Sequence, residues 1–223
     1  MTSLKMKSNT DVHPSPTSPI IKVCGMRDSA NIQAIDKLGP DWMGFIFYQH
    51  SSRYVEQVPT VMPQRAKRVG VFVHPQFRDV MDHVKRYDLQ AVQFHGTASP
   101  EVCQSFRERG LIVIRALPVT ETFVAETAQY VGKVDYFLFD NPTLKFGGSG
   151  QTYDWTLLQR YPGPTPFLLS GGLSLQTVEA LKRFAHPFLA GYDVNSGFET
   201  SPAMKDSAAV AQFIAEMKTN MHL

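Results

Sequence analysis

One pattern constrains this chain more than any other. A short, nearly continuous apolar run is followed by a glycine or polar turn and then a longer amphipathic stretch, and the unit recurs along almost the whole sequence. The apolar runs fall at 20–24, 42–47, 69–73, 91–94, 112–117, 136–139, 167–169 and 188–194. Runs without polar alternation are typical of strands buried on both faces, which happens when helices cross over a parallel sheet. Helical stretches are expected at 29–38, 76–86, 100–109, 121–129, 154–159, 175–184 and 207–217. Ser99 before Pro100, and Ser174 after the seventh run, read as capped helix starts. The segment 47–69 is poorly periodic and carries Pro59 and Pro63, so the helix expected there is the least defined.

Eight strands alternating with about eight helices predict a (β/α)8 TIM barrel, because parallel strands need right-handed crossovers and the repeat can close on itself. The 223 residues lie near the lower end for that fold. A doubly wound open sheet is the competing topology. Its dinucleotide-binding form is disfavoured, since no G-x-G-x-x-G follows the first run. Residues 1–19 are rich in Ser, Thr, Pro and Asn and have no apolar core region, so they read as a disordered arm rather than a secretory signal. The barrel domain is then 20–223.

The formal charge of +2 and the scattered Lys and Arg provide no electrostatic footprint for nucleic acid or a membrane surface. No apolar run reaches the roughly 18 residues of a membrane span. Two cysteines, Cys24 and Cys103, are too few for a disulfide framework, which suits a reducing, cytoplasmic setting. No His, Asp, Glu and Cys cluster has metal-ligand spacing, and no metal is expected.

Barrel chemistry sits at the C-terminal ends of strands and in the loops that follow. Those positions hold Cys24, the stretch Ser52-Arg53-Tyr54, His95, Asp140, the loop from Phe146 to Trp155, Ser170-Gly171-Gly172 and Asp193-Val194-Asn195-Ser196-Gly197. Glycine loops after the seventh and eighth strands let backbone N–H groups approach an anion, which suits a phosphate. A buried free cysteine is ordinarily just a small apolar residue. Cys24 and Asp140, however, come from strands one and six and so face each other across the mouth, as a base and an acid would. Arg53 has a planar fork suited to a substrate carboxylate. His95 and Cys103 read as structural.

The motifs KVCGMRD, GFIFYQHSSRYV, RVGVFVHP, VQFHG, FLFDNP, GGSGQTYDW, LLSGGL and DVNSGFETSPAMKD occur in this order. Together they resemble the phosphoribosylanthranilate isomerase family of tryptophan biosynthesis over about 21–217. The resemblance implies a (β/α)8 barrel that converts N-(5-phosphoribosyl)anthranilate to 1-(2-carboxyphenylamino)-1-deoxyribulose 5-phosphate by an Amadori rearrangement. It implies Cys24 as general base, Asp140 as general acid, and Arg53 as the contact to the anthranilate carboxylate. Gly171, Gly172, Asp193, Asn195 and Ser196 would form the phosphate end. No cofactor is implied, because an iminium intermediate is its own electron sink. The working unit would be a monomer or homodimer. The eighth-strand motif of the family often reads D-V-S-S-G, and Asn195 replaces its first serine. Two alternatives are another sugar-phosphate isomerase on the same barrel, which would use two aspartates, and a barrel that binds a phosphorylated metabolite without turnover.

Overall fold

The apolar runs become strands with few exposed side chains. In the computed structural model, which describes residues 18–141 and 154–219, they are β1 (Ile20–Val23), β2 (Trp42–Ile46), β3 (Lys67–Val73), β4 (Ala91–His95), β5 (Ile112–Pro118), β6 (Tyr136–Asp140), β7 (Phe167–Leu169) and β8 (Leu189–Val194). All neighbours are parallel, and β8 pairs with β1 to close an eight-stranded barrel in chain order. Most of the expected arm lies outside the described residues, as does the loop from Phe146 up to Tyr153.

The helices are α1 (Ser29–Lys37), α2 (Phe77–Tyr87), α3 (Pro100–Arg107), α4 (Phe123–Ala128), α5 (Val178–Arg183) and α6 (Ser207–Thr219). Local chemistry sets their starts. The Asp28 carboxylate accepts from Asn31 N–H at 2.8 Å ahead of α1, and Ser99 Oγ accepts from Val102 N–H at 3.3 Å with Pro100 at the first helical position of α3. The stretch expected at 154–159 is a 3₁₀ turn, Trp155–Arg160, and Leu175–Thr177 forms another before α5.

The connection from β2 to β3 is a correction, because no helix forms there. The Asp36 carboxylate on α1 instead accepts from the N–H groups of Gln64, Arg65 and Ala66, at 2.8 to 3.3 Å. Those donors are held to a side chain rather than to each other, and Pro59 and Pro63 remove two more. The segment therefore runs as a loop, with Tyr54 bridging to Ile46.

Two apolar shells hold the barrel. Trp42, Val69, Ile114, Leu138, Leu168 and Ala190 fill its interior. A larger layer, including Ile21, Val23, Phe94, Phe137, Phe139 and Phe167, lies between strands and helices. Each fully buried aromatic of this kind contributes about 2–3 kcal/mol of transfer free energy. Alternation along β1 sends Ile21 and Val23 outward, and Ile20, Lys22 and Cys24 inward.

A register slip changes the phase of β8. Phe167 pairs with Leu189 but Leu168 pairs with Gly191, so Ala190 is one residue more than β7 can match. As a result Ala190 and, three positions on, Asp193 both face the interior, and Asp193 lies opposite Lys22. Beyond β8, a short hairpin of β9 (Glu199–Ser201) and β10 (Met204–Lys205) folds back against α1. The Asn31 side chain fixes it, donating to Lys205 O at 2.9 Å and accepting from Lys205 N–H at 2.8 Å.

Candidate active site

At the C-terminal ends of the strands lies a cavity of about 740 Å³, counting its open mouth. Cys24, Asp140, Asp193, Gly171, Gly172, Asn195 and Ser196 all line it, although they come from four strand ends spread over the whole sequence. Ile46, Tyr48, Val71, Val73 and His95 form its other wall, which is largely apolar.

Cys24 follows β1 and is anchored by its N–H, which donates to Val194 O at 2.9 Å. Its sulfur lies in a hollow left by Gly44 on β2, where a Cβ would stand 2.6 Å from Sγ. Burial pushes the thiol above its ordinary range. The Lys22 ammonium acts most strongly in the other direction, and the Asp193 charge adds to the rise.

Asp140 ends β6 and accepts from Asn141 N–H at 2.8 Å. Burial raises its carboxyl to about 6, with the Asn141 bond holding back part of the rise and the Asp193 charge adding to it. This carboxyl therefore keeps its proton far more readily than an exposed aspartate does, which suits an acid.

Sequence reasoning missed the charged groups packed near Cys24 and Asp193, two of the lining residues. Lys22 is wholly buried, and its Nζ meets Asp193 Oδ1 at 2.8 Å. Burial opposes its charge, but Asp193 and Cys24 outweigh burial and keep it an ammonium. Beside it, Lys205 Nζ donates to Asn195 Oδ1 at 2.8 Å and pairs with Glu199. Burial alone would raise the Glu199 pKa, yet Arg53 and Lys205 together hold it low. The only signal for Lys22 in the sequence is a lysine two places before Cys24 inside an apolar run; nothing local marks Glu199 or Lys205 as its neighbours.

Arg53 does not line the cavity. Its Nε and Nη2 form a two-point pair with Glu199, at 2.9 and 2.7 Å, on a carboxylate 146 residues further along the chain. His95 points into the cavity as a neutral ring, because burial and the nearby Lys22 and Arg115 charges push it down to about 3. A neutral ring accepts at Nε2 from the Gln93 amide at 2.7 Å. That leaves Gln93 Oε1 buried at the cavity wall with no hydrogen-bond partner among the described residues.

Gly171 and Gly172 have φ of 88° and 72°, a left-handed pair that only glycine adopts without strain. Their N–H groups make no hydrogen bond among the described residues. Gly197 lets the eighth-strand loop close onto this turn, since a Cβ there would be 2.1 Å from Leu173 O. The Asn195 Oδ1 accepts from Lys205, so that oxygen is turned away from a ligand.

Comparison with known proteins agrees with this arrangement. Residues 21–216 match the family described as N-(5'-phosphoribosyl)anthranilate (PRA) isomerase. An N-(5'-phosphoribosyl)anthranilate isomerase from Phocaeicola vulgatus is 46% identical over 200 residues, covering 89% of this chain and 98% of that one. Monomers of a dimeric phosphoribosylanthranilate isomerase from Thermotoga maritima superpose with a TM-score of 0.74 at 28% identity, covering 89% and 98%. A phosphoribosylanthranilate isomerase in complex with reduced 1-(o-carboxyphenylamino)-1-deoxyribulose 5-phosphate gives 0.73 at 30% identity, with the same coverage. Among the described residues no helix is long and apolar enough to cross a membrane. Strand order, cavity and sequence lead to one conclusion: the chain belongs to the phosphoribosylanthranilate isomerase family.

Proposed function

We propose that this chain carries out the isomerisation of N-(5'-phosphoribosyl)anthranilate to 1-(2-carboxyphenylamino)-1-deoxyribulose 5-phosphate in tryptophan biosynthesis, with Asp140 as general acid and Cys24 as general base. The supporting observation is that a carboxyl whose pKa burial raises to about 6 and a thiol, from the sixth and first strand ends, line one cavity with the paired glycine loops. Asp140 gives its proton to the furanose ring oxygen, and the C1–O bond breaks as the nitrogen lone pair forms the iminium. Cys24, as thiolate, takes the proton from C2, and those electrons neutralise the iminium to an enolamine. The enol tautomerises to the ketone. The iminium accepts the electrons, so the chemistry needs no external cofactor.

Gly171, Gly172 and the backbone at Asn195 and Ser196 are assigned to the phosphate. Asp193 is assigned elsewhere: its carboxylate is committed to Lys22, and a second anion in a phosphate nest is repelled. Arg53 retains Nη1 for the anthranilate carboxylate, a one-point contact rather than a fork, because Glu199 holds its other two nitrogens. Every proposed group comes from one chain, so the site itself does not require a second subunit, and two buried free cysteines suit a cytoplasmic enzyme.

The test is turnover of the purified chain, followed by anthranilate fluorescence. Cys24→Ser and Asp140→Asn should each lower kcat by about 10²–10⁴-fold, the usual worth of a positioned acid or base. Near-parental turnover by either variant refutes that residue's role. Turnover of the histidine-pathway isomerase substrate instead would favour the other barrel reading.

A further inference from the structure

Lysine is almost never fully buried without a partner that offsets its desolvation. Lys22 is 0% exposed, yet the proposed proton transfers do not use it. It precedes Cys24 by two residues on β1, so strand alternation projects both side chains into the same interior. Asp193 fixes its position from β8, at 2.8 Å.

The ion pairs around the sulfur fall into two sets. Lys22 pairs with Asp193, and separately Arg53 and Lys205 share Glu199. Of the other titratable groups nearby, His95 on β4 is neutral. Asp140 on β6 has a carboxyl that burial raises to about 6, so it adds an anion above that pH. Arg115 on β5 is occupied elsewhere, donating to Phe94 O and Gly96 O with its guanidinium over Tyr130. Of these groups Lys22 alone lies on β1, two residues before Cys24, and alternation turns both into the same interior.

We propose that Lys22 is a positioning residue: its ammonium, held in register by Asp193, keeps a fixed positive charge against Cys24 and offsets part of what burial costs the thiolate. This rests on Cys24 being the base. Lys22 and Asp193 act on the sulfur with opposite signs, the first favouring the thiolate and the second opposing it.

The experiment measures iodoacetamide alkylation of Cys24 against pH in a Cys103→Ser background, after circular dichroism has established folding. Lys22→Met should move the profile alkaline, and each unit of movement lowers the rate about tenfold at a fixed pH below the thiol pKa. Lys22→Arg should stay near the parent. Asp193→Asn should move the profile the other way and raise the rate, and it carries the test alone if Lys22→Met fails to fold. Profiles that superimpose on the parent, or that move in the same direction for both neutral variants, overturn the proposal. Alkylation reads the sulfur without turnover, so failure here refutes Lys22's role, whereas an active Cys24→Ser refutes the reading of Cys24 as base.

Discussion

Replacing Asp140 by asparagine should make the protein more stable while it removes activity. In the fold this carboxyl ionises near about 6 rather than at its ordinary 3.8, chiefly because it is buried. Between those two pH values the folded chain keeps a proton that the unfolded chain has released. Stability therefore falls as pH rises through that window, and the loss is complete above it. At about 1.4 kcal/mol per pH unit, the cost is about 3 kcal/mol. An amide has nearly the same shape, bears no charge, and keeps an acceptor for the Asn141 N–H now bonded at 2.8 Å. Asp140→Asn should thus raise the free energy of unfolding by up to about 3 kcal/mol at about pH 8, and by little at about pH 3.5 where both carboxyl and amide are neutral. Urea unfolding at the two pH values, monitored by circular dichroism, measures the difference. An equal gain at both, or a loss at the higher pH, would show that Asp140 carries no unfavourable buried charge and would refute the argument for a raised acid.

Gly44→Ala should place a Cβ 2.6 Å from Cys24 Sγ. Overpacking of this kind costs about 1–3 kcal/mol, and moving the sulfur by an ångström should lower kcat about 100-fold; unchanged turnover would mean the sulfur does not occupy that hollow. Gln93→Leu removes the unpaired buried acceptor, so kcat/KM should fall about tenfold if Oε1 meets a substrate hydroxyl, while the denaturation midpoint holds or rises. A lower midpoint with full activity would place that oxygen in the fold's own hydrogen bonding. Asp36→Asn weakens the bonds to the Gln64, Arg65 and Ala66 N–H groups and should cost about 1.5–3 kcal/mol in urea denaturation, with turnover nearly unchanged.

Much of this protein could be read before its structure. Parallel strands buried on both faces produce unbroken apolar runs, so the eight strands and their order followed from the repeat. The strand-end rule then selected Cys24, Asp140 and both glycine loops, which line one cavity. Periodicity shows which face a residue occupies but says nothing about distant partners. Arg53 was visible as a rim arginine, yet its engagement by Glu199 depends on a hairpin formed 146 residues later. Lys22 was absorbed into an apolar run because one charge does not break the pattern. The helix missing between β2 and β3 reflects the same limit, since the group that captures those N–H donors is Asp36 on a different element. The slip in β8 left no mark at all, because Ala190 is as apolar as its neighbours.

The strand that slips against β7 also forms, on its other edge, the seam with the first strand. Gly191 there allows so close an approach that a Cβ would fall 2.0 Å from Ile20 O, and two positions further Lys22 and Asp193 come together across the same seam. The zipping of this final edge is what joins ammonium to carboxylate. An incompletely sealed sheet would leave a lone cation among hydrocarbon, so the ion pair works as a latch that penalises open forms and ties assembly of the charges near Cys24 to completion of the fold.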